Sequence, residues 1–271
     1  MNMNTTFERH DSRQEIVATR SAGGEWVTYG SDSARRLLAL HQLDSLDRLF
    51  DGGRGADARH AGRSVYHSDV VDAEGRRTRL FIKLQQGRRR LWPRMNDIKS
   101  GQVFQTLAER EWHGIERLRG LGLLVPEALG LFGTTRWALS FRAAVVVRQV
   151  PPPSSLDEML SDGRWNDVAK SDRIAILDAT VSALERIHAA GLGWRGSSSR
   201  HFFPERDGSG QWRVWLIDCE GVHRFAGAKT RARNYDKLVR AFRESGADES
   251  TLADLRARLE KTPQRSQRFA A

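Results

Sequence analysis

The sequence predicts an α+β protein built as two lobes, a β-rich N-terminal lobe with one main helix and a helical C-terminal lobe. Short runs rich in β-branched and aromatic residues are concentrated before residue 150, and the strongest helical periodicity follows in 171–190. Between them stands Pro151-Pro152-Pro153, which suits a short, stiff connector. We therefore expect three segments: a partly irregular lead-in, an N-terminal lobe, and a C-terminal lobe with a basic tail, over 1–60, 61–150 and 151–271.

The N-terminal lobe is predicted to contain a β-hairpin, a helix and two further strands. Two β-rich runs flank the polar turn at 72–75, which is a hairpin signal. From Gln102 to Arg119 apolar residues recur with a helical period that Gly120 closes. The segments VPEALGLFG and RWALSFRAAVVVRQV are typical of strands, the second long and buried. In the lead-in, one helix is expected around Ser31 to Leu40.

The C-terminal lobe is predicted to begin with a short helix at SSLDEML, capped by Ser154 or Ser155. Its main helix spans Ser171 to Ala190, with Gly191 after its end. There follow the loop GWRGSSSRHFF, a hairpin through PERDGSGQ, the strand WRVWLID and a last helix over about 248–260. This order of elements resembles the protein-kinase-like fold.

Composition and charge narrow the class of protein. Of 271 residues, 39% are hydrophobic and 29% charged, and no apolar run approaches the roughly 20 residues of a membrane span. The polar start MNMNTTFERHDSRQE lacks the apolar core of a signal peptide, and the single cysteine, Cys219, suits a reducing compartment. These features favour a cytoplasmic protein. The net charge of +10 fits either arginine-rich codon usage or an anionic partner, and charge alone leaves both open.

Two charged residues stand where the pattern expects apolar side chains. Lys83 lies in the strand run LFIKL on the face of Phe81, where it needs an anion, unless it reaches solvent at the strand end. Glu111 completes the apolar stripe of the first-lobe helix, unless the helix is rotated to bury Trp112 instead. A pairing of Lys83 with Glu111 satisfies both charges. In kinases such a pair aims the lysine at the nucleotide phosphates.

Asp218 and His201 are the candidate metal ligands. Asp218 ends the strand WRVWLID, where a carboxylate can hold magnesium together with phosphates, although aspartate also caps turns at strand ends. His201 follows Gly196 by five residues, as the metal-binding asparagine follows the aspartate of the kinase pattern H-R-D-x-x-x-x-N. Imidazole suits magnesium poorly, so His201 is either a ligand or a residue that shapes the site.

From about Arg63 to Asp236 the chain resembles the lipopolysaccharide kinase (Kdo/WaaP, InaA-like) family, bacterial kinases that use ATP to phosphorylate sugars of the lipopolysaccharide inner core. The resemblance rests on LFIKL, REWHGIERLRGLGLLVPEALG, LERIHAAGLGWRGSSSRHFF, WLIDCEGVHR and RARNYDKL. The third block is similar to the family's AGINHRDCYICHFLL and the fourth to LIDLHR. The resemblance implies that Lys83 and Glu111 serve the nucleotide, that Asp218 binds magnesium, and that His201 is a family position.

The chain departs from this family in one place. Where the family has His-Arg-Asp, this sequence has Trp194-Arg195-Gly196, so Arg195 is kept and the catalytic carboxylate is replaced by Gly196. We expect Trp194 to pack in the core of its lobe, where the family has the histidine. No carboxylate lies between Gly191 and Pro204. Glu220, two residues after Asp218, is the best candidate for a substitute base; the alternative is a second carboxylate on the metal side or a structural one.

Two functions therefore compete. The first is an ATP- and Mg²⁺-dependent sugar kinase acting on lipopolysaccharide core or a related glycolipid, slowed by the missing aspartate. The second is a pseudokinase, a nucleotide-binding or scaffolding protein without turnover. The basic insert from Arg88 to Arg94, with Trp92, is either a solvated loop or a contact with acidic sugars and the inner membrane surface. Nucleic-acid binding rests only on the net charge and on clusters such as Arg88-Arg89-Arg90, and it is the least favoured class.

Overall fold

A computed structural model describes residues 17–20, 25–53, 58–60, 62–88, 105–136, 140–224 and 227–261. The first part of the chain forms a seven-stranded antiparallel sheet with the strand order β1-β2-β6-β7-β5-β4-β3. Its strands are β1 Val17–Arg20, β2 Glu25–Tyr29, β3 Ala58–His60, β4 Arg63–Val71, β5 Arg77–Arg88, β6 Ala128–Arg136 and β7 Ser140–Arg148. Among the described residues, three helices accompany the sheet: α1 Asp32–Leu40, α2 Leu46–Gly52 and α3 Leu107–Gly120.

The second part is mainly helical and carries two small two-stranded sheets, β9 with β10 and β8 with β11. Its helices are α4 Leu156–Ser161, α5 Arg164–Asp167, α6 Lys170–Ala189, α7 Ala228–Glu244 and α8 Glu249–Lys261, and its strands are β8 Leu192–Trp194, β9 Phe202–Arg206, β10 Trp212–Leu216 and β11 Val222–Arg224. The predicted hairpins, the main helices and the last helix are confirmed. None of the described helices combines the length and apolar character that a membrane crossing requires.

Apolar clusters pack against both faces of the central strands of the large sheet, and this explains the position of Lys83. Leu80, Ile82 and Leu84 of β5 lie in a cluster with the apolar residues of α1 and α2. Phe81 and Lys83 alternate with them and therefore face α3 and the second lobe, as the pleat requires. The two outer helices thus leave one sheet face free to build the site.

The segment before residue 61 contributes more regular structure than the sequence indicated. The expected helix is present as α1, with Ser31 as its N-cap, but β1, β2, α2 and β3 were not foreseen. Strand β2 is short and mixed in polarity, and it is held by pairing with β6, whose paired residues lie 101 to 109 positions further along the chain. Gly133 of β6 makes room for this pairing, since a Cβ there would lie 2.3 Å from the Trp26 ring.

Helix α3 is fixed in phase by its first turn. Thr106 and Glu109 form a capping box, in which the Thr106 hydroxyl accepts from the Glu109 backbone and the Glu109 carboxylate accepts from the Thr106 backbone. The helix buries both Glu111, whose exposure is 1%, and Trp112, whose exposure is 3%. The two residues were predicted as alternatives for the inner face, and both lie on it. Residues 102–104, where the sequence placed its start, lie outside the described residues.

Candidate active site

Lys83, Glu111 and Asp218 come together between the sheet, α3 and the end of β10. The Lys83 ammonium donates to Glu111 Oε1 at 2.9 Å, and its Nζ lies 3.6 Å from Asp218 Oδ1. The Asp218 side chain is 39% exposed and that of Lys83 27%, whereas Glu111 is sealed inside. The geometry thus joins the two charges that the sequence singled out and brings Asp218 to the same place.

The second oxygen of Glu111 ties α3 to the turn after Asp218. Glu111 Oε2 accepts a hydrogen bond from the Glu220 backbone N–H at 2.7 Å. One turn further along α3, Gly114 packs directly on the backbone of that turn, because a Cβ at Gly114 would lie 2.1 Å from the Cys219 carbonyl oxygen. The sequence offered no signal for this contact beyond a glycine in a helix, whose usual cost in stability suggests a packing reason.

The electrostatics favour a charged lysine. Burial alone would lower the pKa of Lys83, but Glu111 and Asp218 outweigh it and raise the pKa above its ordinary value. Glu220 behaves oppositely: burial and the neighbouring Asp218 raise the pKa of its carboxyl group, with Arg63 and Lys83 acting against them. Its Oε1 lies 3.6 Å from the Arg63 guanidinium, at the start of β4.

Asp218 has an unusual backbone conformation. Its φ of 59° and ψ of 57° lie in the left-handed region, which aspartate and asparagine tolerate better than most other residues. Its carbonyl oxygen accepts from the Trp194 indole N–H at 3.2 Å. This hydrogen bond holds the backbone of Asp218 against the loop that contains Trp194.

His201 bridges Gly196 and Asp218. Its Nδ1 lies 2.6 Å from the Gly196 carbonyl oxygen, which can only accept, so Nδ1 carries the ring proton. Burial lowers the pKa of His201, opposed by the Gly196 carbonyl and Asp218, and the ring is therefore neutral at pH 7. Its Nε2 then presents a lone pair 3.5 Å from Asp218 Oδ2. Two acceptor atoms converging in this way suit a cation between them.

The space beside residue 196 is filled by Trp194. This side chain is fully buried, as the sequence suggested, and a Cβ at Gly196 would lie 2.5 Å from its Nε1. The neighbouring Ser197 hydroxyl is buried, and among the described residues it has no hydrogen-bond partner. The loop contains no carboxylate. Because the indole fills the space next to Gly196, a larger side chain at residue 196 would not fit while Trp194 stays in place.

The loop that contains Gly196 is held by contacts with α4 and α7 that could not be predicted from the sequence. Asp157 at the start of α4 accepts from the Ser199 hydroxyl at 2.8 Å and from the Ser245 hydroxyl at 2.6 Å. Lys237 of α7 donates to the Arg195 carbonyl oxygen. These pairs are separated by 42 to 88 residues in sequence, which no local pattern can encode.

For two predicted site residues, Arg195 and Glu220, the structure shows backbone hydrogen bonds but not a catalytic role. The Arg195 N–H donates to the Gly221 carbonyl oxygen at 3.1 Å, and its side chain is exposed. Glu220 is placed by its own N–H against Glu111, and its service as a base stays a prediction. The stretch 89–104, with the basic insert and Trp92, lies outside the described residues, so a membrane contact there is also still a prediction.

Comparisons with known proteins identify the fold and the family of this chain. A solved structure described as WaaP in complex with acyl carrier protein matches with a TM-score of 0.60 and 17% sequence identity, over 84% of this chain and 86% of that one. At this identity the match shows the fold, which is kinase-like and bilobal. No curated protein sequence matches significantly. The model of the lipopolysaccharide kinase (Kdo/WaaP) family matches residues 66–267, about three quarters of the chain, and the protein therefore belongs to that family.

Proposed function

We propose that this protein is an ATP-dependent phosphotransferase that phosphorylates a sugar hydroxyl of lipopolysaccharide core or a related glycolipid. Membership in the family supports a kinase-like phosphotransferase. The observation that carries the proposal to this chain is the Lys83–Glu111 pair with Asp218 beside it. Because the donor is ATP, we expect the reaction in the cytoplasm, with a glycolipid acceptor at the inner membrane surface.

The residues of the first lobe suit nucleotide phosphates. Lys83 is charged and part-exposed, and Glu111 fixes its direction with a buried hydrogen bond. In this arrangement the ammonium neutralises charge on the phosphates while its position is set by α3. Arg63 at the start of β4 lies near the same region and adds a further positive charge.

The residues around Asp218 fit a magnesium ion that arrives with the nucleotide. Within the described part of the chain, no three His, Cys, Asp or Glu side chains gather as a ready metal site. Asp218 offers one hard oxygen, which matches a magnesium ion held by few protein ligands and by phosphate oxygens. The neutral nitrogen of His201 suits magnesium poorly, so His201 is either a second, weaker ligand or a residue that shapes the site. When bound, Mg²⁺ neutralises charge on the transferring phosphoryl group.

The absence of a carboxylate at residue 196 predicts slow turnover. General-base assistance is worth about 10²–10⁴-fold, and kinases turn over at about 1–100 s⁻¹. Removal of the base therefore leaves a rate of about 10⁻⁴ to 1 s⁻¹. Phosphoryl transfer depends mainly on positioning and charge neutralisation, so a residual rate is expected. Glu220 is our candidate for a substitute base.

A specific observation favours a second candidate function. Trp194 occupies the space that a side chain at residue 196 would need, so the loop is packed for the absence of the base. In that case the protein is a pseudokinase that binds nucleotide or a partner without turnover.

The two candidates differ in the effect of Asp218→Asn. We expect this variant to fold, since asparagine tolerates the left-handed backbone, and to lose ATP consumption and phosphorylated product with core oligosaccharide, measured by mass spectrometry. Asp69→Asn, at an exposed surface ion pair, is the matched control and should keep the wild-type rate. A rate abolished by Asp218→Asn excludes the pseudokinase, whereas tight Mg-ATP binding without turnover on any acceptor excludes the enzyme.

A further inference from the structure

Three exposed basic side chains lie beside the catalytic loop on the second lobe: Arg200, Lys237 and Arg240, which we call the basic triad. Arg200 directly precedes His201 in a short 3₁₀ turn. Lys237 and Arg240 are three residues apart on α7, so they share one side of that helix. The contact between Lys237 and the Arg195 carbonyl oxygen fixes the triad to the loop at the residue before Gly196.

The triad has no acidic partner in the part of the chain that the structure describes. Neither Asp236 nor Glu244, on the same helix, forms an ion pair with Lys237 or Arg240 among the described residues. Asp157 acts on Arg200 electrostatically without forming an ion pair with it, and its Oδ1 accepts from the Ser199 and Ser245 hydroxyls. The three charges are close enough to act on each other: burial, and then Arg200 and Arg240, lower the pKa of Lys237, while Asp218 opposes them. Like charges held together in this way attract an anion.

The position of the triad relative to Lys83 and Arg63 indicates whether the anion belongs to the nucleotide or to the acceptor. Lys83 and Arg63 belong to the first lobe, on the nucleotide side of Asp218, whereas the triad belongs to the second lobe, on the side of residue 196. In kinases the acceptor hydroxyl approaches the phosphoryl group from the side of the catalytic loop. A neutral sugar is bound through its hydroxyl groups and does not need several cations. A sugar that carries a phosphate or a carboxylate is bound well by a cluster of cations.

We propose that Arg200, Lys237 and Arg240 bind an anionic group, phosphate or carboxylate, on the acceptor saccharide and so select acceptors that already carry negative charge. This inference rests on the proposed function, because it assigns the acceptor side of the same cleft. It also gives the reaction a place after a step that has introduced a charged sugar or a sugar phosphate.

The test measures binding of small probes by calorimetry, without nucleotide and with Mg-ATP in separate arms. The probes are mannose 6-phosphate, glucuronate, mannose and inorganic phosphate. We expect wild-type protein to bind mannose 6-phosphate or glucuronate, and the one that binds more tightly shows whether the anion is a phosphate or a carboxylate. Mannose should bind at least tenfold more weakly than that probe. Arg200→Gln and Arg240→Gln should each weaken the preferred probe about tenfold, the scale of one charge-assisted hydrogen bond, and leave Mg-ATP affinity unchanged. Arg36→Gln, an equal charge change on the exposed side of α1, should change neither.

Several results would overturn the inference. Equal binding of mannose and the charged sugars, binding of inorganic phosphate alone, or unchanged affinity in both arginine variants would each show that the triad does not select a charged saccharide. Loss of Mg-ATP affinity in the same variants would assign the triad to the nucleotide. Loss of binding to vesicles of phosphatidylglycerol, with no saccharide bound, would assign it to a lipid surface. Failure of the proposed function reads out differently, as wild-type protein that does not bind Mg-ATP or turn it over.

Discussion

The two sides of the cleft differ in how their polar groups are partnered. On the side of the large sheet, Lys83 and Glu111 hold each other, and the remaining oxygen of Glu111 is taken by a backbone N–H. On the side of the catalytic loop, an indole packs against Gly196, and the buried Ser197 hydroxyl has no partner among the described residues. The side of the large sheet is held by paired charges, and the side of the loop is held by the packing of Trp194 against Gly196.

This difference shows why one side can change while the other cannot. Removal of either Lys83 or Glu111 would leave a charge without its partner in a desolvated place, which costs stability as well as function. Replacement of a carboxylate at residue 196 by Gly196 leaves no such charge, since the space is filled by Trp194, whose N–H is satisfied by the Asp218 carbonyl oxygen. The fold therefore does not depend on a carboxylate at residue 196.

The largest expected effect breaks the charge network. Glu111→Gln leaves the Lys83 ammonium without its closest anion and should lower the free energy of unfolding by about 3 kcal/mol. It should also weaken Mg-ATP binding at least tenfold, because the lysine is no longer aimed. Both quantities are measurable, by urea unfolding and by nucleotide titration.

The matched control for this change is on the same helix. Glu116→Gln removes an i,i+3 surface ion pair with Arg119, in which N and O lie 3.8 Å apart, and should cost under about 1 kcal/mol. If Glu111→Gln is no more costly than Glu116→Gln, the two sides of the cleft do not differ in the way described above.

A second change tests the packing of the loop. Gly196→Asp restores the carboxylate but places its Cβ 2.5 Å from the Trp194 ring, so we expect a loss of about 2 kcal/mol from overpacking. The double variant Trp194→His with Gly196→Asp relieves this clash and should recover most of the stability in the same thermal unfolding assay.

The double variant also addresses turnover. If the protein transfers phosphate, a base restored at residue 196 should raise the rate of product formation by about 10²–10⁴-fold over wild type. A well-folded double variant with no gain in rate would indicate that the missing carboxylate is not what limits this site.

The smallest expected effect concerns Ser197. Because its hydroxyl is buried without a partner, Ser197→Ala should leave the free energy of unfolding within about 1 kcal/mol of wild type, or raise it. An unchanged melting temperature together with a clear loss of acceptor affinity would instead show that the hydroxyl serves a ligand. The thermal unfolding of Ser197→Ala and its acceptor titration are therefore read together.

Much of the first-lobe site follows from local periodicity. The strand alternation placed Lys83 on the face of Phe81, and the helical stripe turned Glu111 inward, so the pair could be predicted from spacing and the cost of a buried charge. The buried position of Trp194 and the order of helices and hairpins were also predictable. These features depend on neighbours within one or two turns or strands.

The remaining features depend on contacts between distant segments. Nothing near Lys237 in the sequence indicates a bond to the Arg195 carbonyl, and nothing near β2 indicates pairing with β6. The strand pairing of residues before 61 was missed for this reason, because EWVTY is short and mixed in polarity and its conformation is decided by its partner strand. Long-range backbone contacts of this kind leave no periodic signal.

The glycine in the middle of α3 has a consequence for regulation. Many kinases are switched on and off by swinging the helix that carries this glutamate toward or away from the lysine. Here the helix rests on the Cys219 backbone with no side chain between them, so it is already seated in the inward position. The lysine–glutamate pair is therefore formed and held by contacts within the chain itself.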